Sequence, residues 1–235
     1  MSLKGIFPID RWNFDTQSVL SVLSTDDHDR LFDNGSQHRY QRGEAIFKEG
    51  TVPAGIFLVV NGKVKKYKVD QNGKEQIIYV ANKGELIGYH AVLSAERYPD
   101  SAAAMETSEV YFIPSNDFLY TVANCPYFAQ RLLKALSHEF TVLSNSISVF
   151  AQRNAPERLA IALIVLREKY KDEYAGNEHI SMTVSRADLA HFAGIAEENV
   201  IRLLKEFKEE GILSTDGRKI KIIDIKLLVK RANYR

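Results

Sequence analysis

The chain has 235 residues, 31 Lys/Arg against 30 Asp/Glu for a net charge of +1, and is 45% hydrophobic and 26% charged. That composition fits a soluble globular protein of one large or two ordinary domains, and net charge alone makes no case for a nucleic-acid partner. A single cysteine, Cys125, excludes an internal disulfide framework and any zinc or iron–sulfur site built from several cysteines, and fits a reducing, cytoplasmic setting. No apolar run of about 18 residues is available to span a membrane, and the N-terminal MSLKGIFPIDRWNF lacks a secretory-signal pattern.

Residues Asp15 to Asn34 read as helical, packing outside the region that follows. Residues 36–122 read as β-rich: EAIFKEG, AGIFLVVNGKVKKYKV, EQIIYVANKG and SEVYFIP are short apolar or alternating runs broken by turn residues. Asn61-Gly62 and Asn72-Gly73 suggest type I′ hairpin turns, and their spacing points to a barrel or sandwich. From Pro126 the period changes to helical. Leu133, Leu136, Phe140, Leu143, Ile147 and Phe150 repeat at 3, 4, 3, 4, 3, a heptad seam that reads as a dimerisation helix of about 25 residues, roughly 37 Å long. The alternative is a long amphipathic helix lying on its own domain.

Asn154, Pro156 and Glu157 form a capping signal for the apolar helix PERLAIALIVLREKYK. KDEYAGNEH is a polar loop. Ser185 and Asp188 cap RADLAHFAG, which ends at Gly194. The next helix carries Val200, Leu203, Leu204 and Phe207 on one stripe, and GILSTDGRKIKIID reads as two strands around Thr215-Asp216-Gly217. Helix, helix, tight turn, helix and hairpin is the order of a winged helix-turn-helix. Charge supports this mildly: residues 151–235 hold 16 basic and 13 acidic residues, a net of +3, against −2 before them. These readings give an α+β chain divided as 1–125, a β barrel; 126–153, a dimer helix and hinge; and 154–235, a DNA-binding domain.

With RYQRGEAIFKEGTVPAGIFLVVNGKVKKYK, GELIGYHAVL, RNAPERLAIALIVL and SRADLAHFAGIAEENVIRLLKEFKEEGILSTDGRKIKI in this order, the chain resembles the cyclic-AMP receptor and fumarate–nitrate regulator (Crp/Fnr) superfamily of bacterial transcription regulators. The resemblance implies an effector-sensing, cyclic-nucleotide-binding-like jelly roll, a homodimer, a palindromic operator in double-stranded DNA and a contact with RNA polymerase. It also implies an effector-driven shift at the hinge near Phe150–Asn154. The family pattern after the turn glycine, Ser/Thr-x-Glu-Thr-x-x-Arg, is here Ala196 to Arg202, so Glu198 and Arg202 match its base-contacting residues, while Asn199, able to bond adenine or a phosphate, is counted with them as a base reader. Glu198 and Arg202, four apart, also make a natural intrahelical ion pair. Phosphate contacts fall to Ser185, Arg186, Lys205, Arg218 and Lys219. Ala196 and Glu197 depart from the pattern, which removes a side-chain cap and predicts a different operator.

The family's cyclic-nucleotide cassette pairs Gly-Glu with a later Arg-Ser/Thr-Ala. Here Gly84 and Glu85 are followed by Asp100, Ser101 and Ala102, which sets negative charge where the cyclic phosphate would lie. The expectation is therefore no tight cyclic-AMP binding and an unknown small-molecule effector, with Arg97 as a substitute cation in the alternative, cyclic-nucleotide-responsive reading. A haem ligated by His90 and a metal site among the six histidines lack recognisable ligand spacing, so no cofactor is expected. A remote alternative, an enzyme on the barrel scaffold, has no nucleophile motif, Walker loop or carboxylate pair behind it.

Overall fold

The computed structural model describes Leu3 and residues 5–13, 19–171 and 180–234. The start of the expected helix at Asp15, nearly all of the KDEYAGNEH loop, and His179 lie outside the described residues. The chain divides into two compact units: residues 14–70 with 78–141, and residues 1–13 and 71–77 with 142–235.

The first unit is built from α1 (Thr25–Phe32), β1 (Ser36–Tyr40), β2 (Ala45–Phe47), β3 (Gly55–Asn61), β4 (Val64–Val69), β5 (Glu75–Ala81), β6 (Leu86–Ile87), α2 (Tyr89–Ser94), β7 (Ser101–Ala104), β8 (Ser108–Pro114) and α3 (Ser115–Asn124). The first residues of β5 fall in the second unit. The strands form two four-stranded sheets, β1-β8-β3-β6 and β2-β7-β4-β5, giving the eight-stranded jelly roll expected. Ser24 caps α1 by accepting from the Asp27 amide at 3.2 Å. The expected type I′ turns do not form. Gly62 and Gly73 take positive φ, but Asn61 and Asn72 do not, and a type I′ turn needs both. β3 and β4 belong to different sheets, so Asn61-Gly62 carries the chain across the barrel instead of closing a hairpin. Gly62 is required there, because a Cβ would lie 2.4 Å from the Ser108 hydroxyl.

Helix α4 (Pro126–Gln152) carries two apolar stripes. One stripe, Phe128, Leu132 and Ala135, is buried against Leu31, Ile56, Leu86, Tyr89, Ile113 and Phe118 of the barrel unit. Full burial of each large side chain is worth about 1.5–3 kcal/mol. The other is the heptad seam: Leu133, Phe140, Leu143 and Ile147 are 67, 75, 37 and 69% exposed, and Leu136 and Phe150 are half-buried. The packing of this helix on its own domain is thus seen on one face, and the seam assigned to dimerisation is left exposed on an adjacent face. Cys125 is buried just before it.

The second unit contains α5 (Ala155–Lys169), β9 (Ser181–Thr183), α6 (Arg186–Ala193), α7 (Glu197–Glu209), β10 (Leu213–Asp216), β11 (Lys219–Ile222) and α8 (Ile225–Ala232). α4 ends at Gln152, and Asn154 restarts the chain with a complete capping box: its Oδ1 accepts from the Glu157 amide, and Glu157 accepts from the Asn154 amide. Leu159 through Leu166 of α5 are buried without interruption. β9 pairs with β11 and widens the expected hairpin to three strands. The unit's edge at Val142 lies inside α4, and the N-terminal segment belongs to this unit: the rings of Phe7, Trp12 and Tyr234 cluster with centroids 5.5–6.4 Å apart, Tyr234 meeting Trp12 edge-on, and Asn145 donates to the Arg11 carbonyl.

Candidate nucleic-acid interface and effector pocket

In the second unit, Ser185 caps α6 by accepting from the Asp188 amide at 2.9 Å, and its hydroxyl donates to the Asp188 carboxylate at 2.6 Å. Gly194 ends α6 at φ +64°, and a Cβ there would meet the Phe150 ring at 3.0 Å. α7 follows after two residues. Val200, Leu203, Leu204 and Phe207 are all at most 3% exposed, which fixes the helix rotation and turns Glu197, Glu198, Ile201, Arg202 and Lys205 outward. Ala196 stands at the N-cap with no side-chain hydrogen bond, as its identity dictates.

The intrahelical pair differs from the sequence expectation. Arg202 bonds Glu206, one turn toward the C-terminus, and Glu198 has no ion-pair partner among the described residues. Both acids are four residues from Arg202, so spacing alone does not choose between them. The outcome leaves Glu198 exposed at the helix tip beside half-buried Asn199.

The five expected phosphate contacts separate by environment. Lys205 is 78% exposed and only loosely paired with Glu209 at 3.9 Å. Arg218 and Lys219 are exposed at the β10–β11 turn. Ser185 is engaged in its cap. Arg186 is half-buried and donates to the Gly217 carbonyl at 3.0 Å, so it ties α6 to the wing turn, and burial lowers its pKa from the ordinary value.

In the barrel unit, Gly84 and Glu85 lie just before β6. Glu85 is 4% exposed and accepts from the Tyr79 hydroxyl at 2.6 Å. Ser101 and Ala102 on β7 pair with Tyr67 and Lys66 on β4, and the Ser101 hydroxyl accepts from the Glu49 amide at 3.0 Å. That register brings in a residue that the sequence reading missed. Lys66, 5% exposed, sits 3.2 Å from the Asp100 carboxylate, itself 4% exposed. Burial pushes the Asp100 carboxyl up, against the pull of Lys66. His90 Nε2 lies 3.9 Å from the same carboxylate; burial, then Lys66, hold its pKa down to about 3, so the imidazole is neutral at physiological pH. Arg97 donates to the Gly50 carbonyl at 2.8 Å in an exposed setting and does not join this group.

Glu139 of α4 was also missed. It is 7% exposed, Lys66 and Glu85 are the charges that act on it, and its Oε1 has no hydrogen-bond partner among the described residues. Burial raises its carboxyl to about 7, Lys66 opposes and Glu85 adds to the rise. A signal for it does exist in the sequence: it is the one charged residue in the stripe Phe128, Leu132, Ala135, Glu139, Val142.

Residues 37–125 match the cyclic nucleotide-binding domain family and residues 157–231 the Crp-like helix-turn-helix domain family. The Electron transport regulator A of Shewanella oneidensis is 29% identical over 210 residues, 89% of this chain and 84% of that protein. The Fumarate and nitrate reduction regulatory protein of Escherichia coli is 28% identical over 194 residues, covering 83% and 77%. The structure of FixK2 from Bradyrhizobium japonicum superposes with a TM-score of 0.72 at 23% identity over 83% of this chain and 96% of that one, a likeness of fold. A jelly roll with a family match, an adjoining long helix and a matched winged helix-turn-helix together make this chain a member of the Crp/Fnr superfamily of DNA-binding transcription regulators.

Proposed function

We propose that the chain acts as a cytoplasmic homodimer on a palindromic operator, with residues 1–125 sensing an effector, 126–153 joining the subunits and 154–235 reading DNA. The observation that carries this reading is α7: a fully buried apolar stripe aims a polar outer face at solvent at the point where a helix-turn-helix enters the major groove. Glu198, Asn199 and Arg202 are assigned to bases. Arg202 suits the guanine O6/N7 edge and Glu198 the cytosine amino group, once Arg202 exchanges its exposed pair with Glu206 for the groove. Lys205, Arg218 and Lys219 are assigned to phosphates, while Ser185 and Arg186 position α6 and the wing. Glu197 has no base assigned and favours the helix N-terminus electrostatically.

Dimerisation is assigned to the exposed seam, since four large apolar side chains left in water on one helix face favour a second copy of the same face. Two α7 helices would then reach half-sites one helical turn apart, about 34 Å. The contact with RNA polymerase rests on the family alone, and the reading includes no catalytic step. Cyclic AMP is a poor effector in this reading, because Lys66 is neutralised by Asp100 and a cyclic phosphate would meet that carboxylate.

The test is selection of a site from a randomised duplex pool followed by mobility shift. Arg202→Ala loses about 1–3 kcal/mol of preference for the selected site and keeps its salt-dependent background binding. Binding of the selected site at wild-type strength would remove Arg202 from the base-reading face. Titration calorimetry with cyclic AMP and cyclic GMP checks the effector half, and micromolar affinity for either refutes it.

A further inference from the structure

One large apolar side chain of α7 is left in water. Val200, Leu203, Leu204 and Phe207 are at most 3% exposed, whereas Ile201 is 56% exposed. Its neighbours four and three residues before it and four after it, Glu197, Glu198 and Lys205, are charged and exposed. Branching at Cβ makes isoleucine a poorer helix former than alanine, lysine or glutamate, so helix stability does not account for it at an exposed position. A lone exposed apolar residue is ordinary on a protein surface. This one stands in the row Glu198, Ile201, Lys205, spaced i, i+3 and i+7, between a residue assigned to a base and one assigned to a phosphate. The major groove of B-DNA presents donors and acceptors at every base pair and one apolar projection, the C5-methyl of thymine. Against any other base edge an isoleucine displaces water from polar atoms without replacing its hydrogen bonds.

We propose that Ile201 is a specificity-determining residue that reads a thymine of the operator through apolar contact with its C5-methyl group. The proposal rests on the reading of α7 as the base-facing helix and adds an apolar reader to the polar ones. Three residues of helix rise about 4.5 Å, against about 3.4 Å per base pair, so the thymine lies within one or two base pairs of the pair that Glu198 reads.

The experiment replaces each thymine of the selected half-site in turn by deoxyuridine, which pairs as thymine does and lacks only the methyl, and measures binding of the full chain by mobility shift. At one thymine the replacement weakens wild type about fourfold, the loss of one buried methyl-sized group. Ile201→Ala weakens binding of the thymine site by at least as much, and deoxyuridine at that position then changes nothing further, so the two changes are coupled. Ile201→Val, which keeps the branched apolar end, retains most of the sensitivity to deoxyuridine. The methyl effect is the same at low and high salt, because an apolar contact releases no counterion, and this separates it from a phosphate contact. The side chain is exposed, so Ile201→Ala melts with wild type, and the deoxyuridine series on wild type needs no variant at all. A selected half-site without thymine, no loss at any deoxyuridine, or an equal loss in wild type and Ile201→Ala overturns the proposal. Arg202→Ala is measured alongside. If it loses preference for the selected site while one of those results appears, Ile201 alone is withdrawn from the bases. A methyl effect coupled to Ile201 upholds the proposal even where Arg202→Ala binds at wild-type strength, and Arg202 alone is then withdrawn.

Discussion

Replacing Glu139 by glutamine tests the buried carboxylate directly through the pH dependence of stability. In the fold, burial raises the Glu139 carboxyl from its ordinary 4.5 to about 7. Ionising it there is harder than in the unfolded chain by about two and a half powers of ten, or about 3 kcal/mol at 1.36 kcal/mol per tenfold step. The folded value is the higher one, so the stabilisation is complete below about pH 4.5 and is lost as pH rises through about 7. Urea unfolding of wild type and Glu139→Gln, at one fixed protein concentration so that association of the proposed dimer contributes equally, measures this. Between about pH 4.5 and 8 the wild type loses about 3 kcal/mol more than the variant. The groups facing Glu139, namely Lys66, Glu85 and, through Lys66, Asp100 and His90, are common to both proteins and cancel in the difference. Parallel pH profiles would refute the assignment of a neutral-range carboxyl to the barrel.

Asp100→Arg, the change that restores the family's cassette, does not create a cyclic-AMP site by itself. It buries a second cation beside Lys66 at a contact now 3.2 Å from a carboxylate, so thermal melts show destabilisation by several kcal/mol. Phe140→Glu, at a seam position 75% exposed in the single chain, leaves the fold intact and shifts sedimentation to monomer; unchanged dimer would remove the seam from the interface. Gly194→Ala forces a β-carbon onto φ +64° and 3.0 Å from the Phe150 ring, which costs at least about 1–2 kcal/mol and weakens hydrogen-exchange protection in α6 and α7. Asn154→Ala removes half of the α5 capping box and lowers stability by about 0.5–2 kcal/mol in denaturant titration.

What was legible in the sequence was local or periodic. The stripe Val200, Leu203, Leu204 and Phe207, the Asn154 capping box and the Gly194 terminus each depend on neighbours within a few residues, and each is where the pattern put it. β6 has two residues, β7 is Ser-Ala-Ala-Ala, and both are buried throughout, so neither shows the alternation that marks a half-buried strand. β9 and α8 passed unread beside the stronger signals around them. In the barrel unit, Gly84, Glu85, Asp100, Ser101 and Ala102 are legible from their motif positions. Lys66 is not, because its meeting with Asp100 depends on the register between β4 and β7, which are some 35 residues apart in the chain. Glu139, on which the charges of Lys66 and Glu85 act, lies still further along the chain, and only its odd polarity within an apolar stripe marks it.

Glu139 and Phe140 are consecutive residues of α4, one facing the barrel and the other exposed on the seam. A helix turns about 100° and rises about 1.5 Å per residue, so these two side chains share one stretch of stiff backbone. A backbone displacement at Glu139 is handed to Phe140 with no loop between them to absorb it. In the proposed dimer, the barrel-facing side of this helix and the side offered to a second copy are one peptide bond apart. Carrying Phe140 by a fraction of an ångström would then be enough to change how such a seam packs.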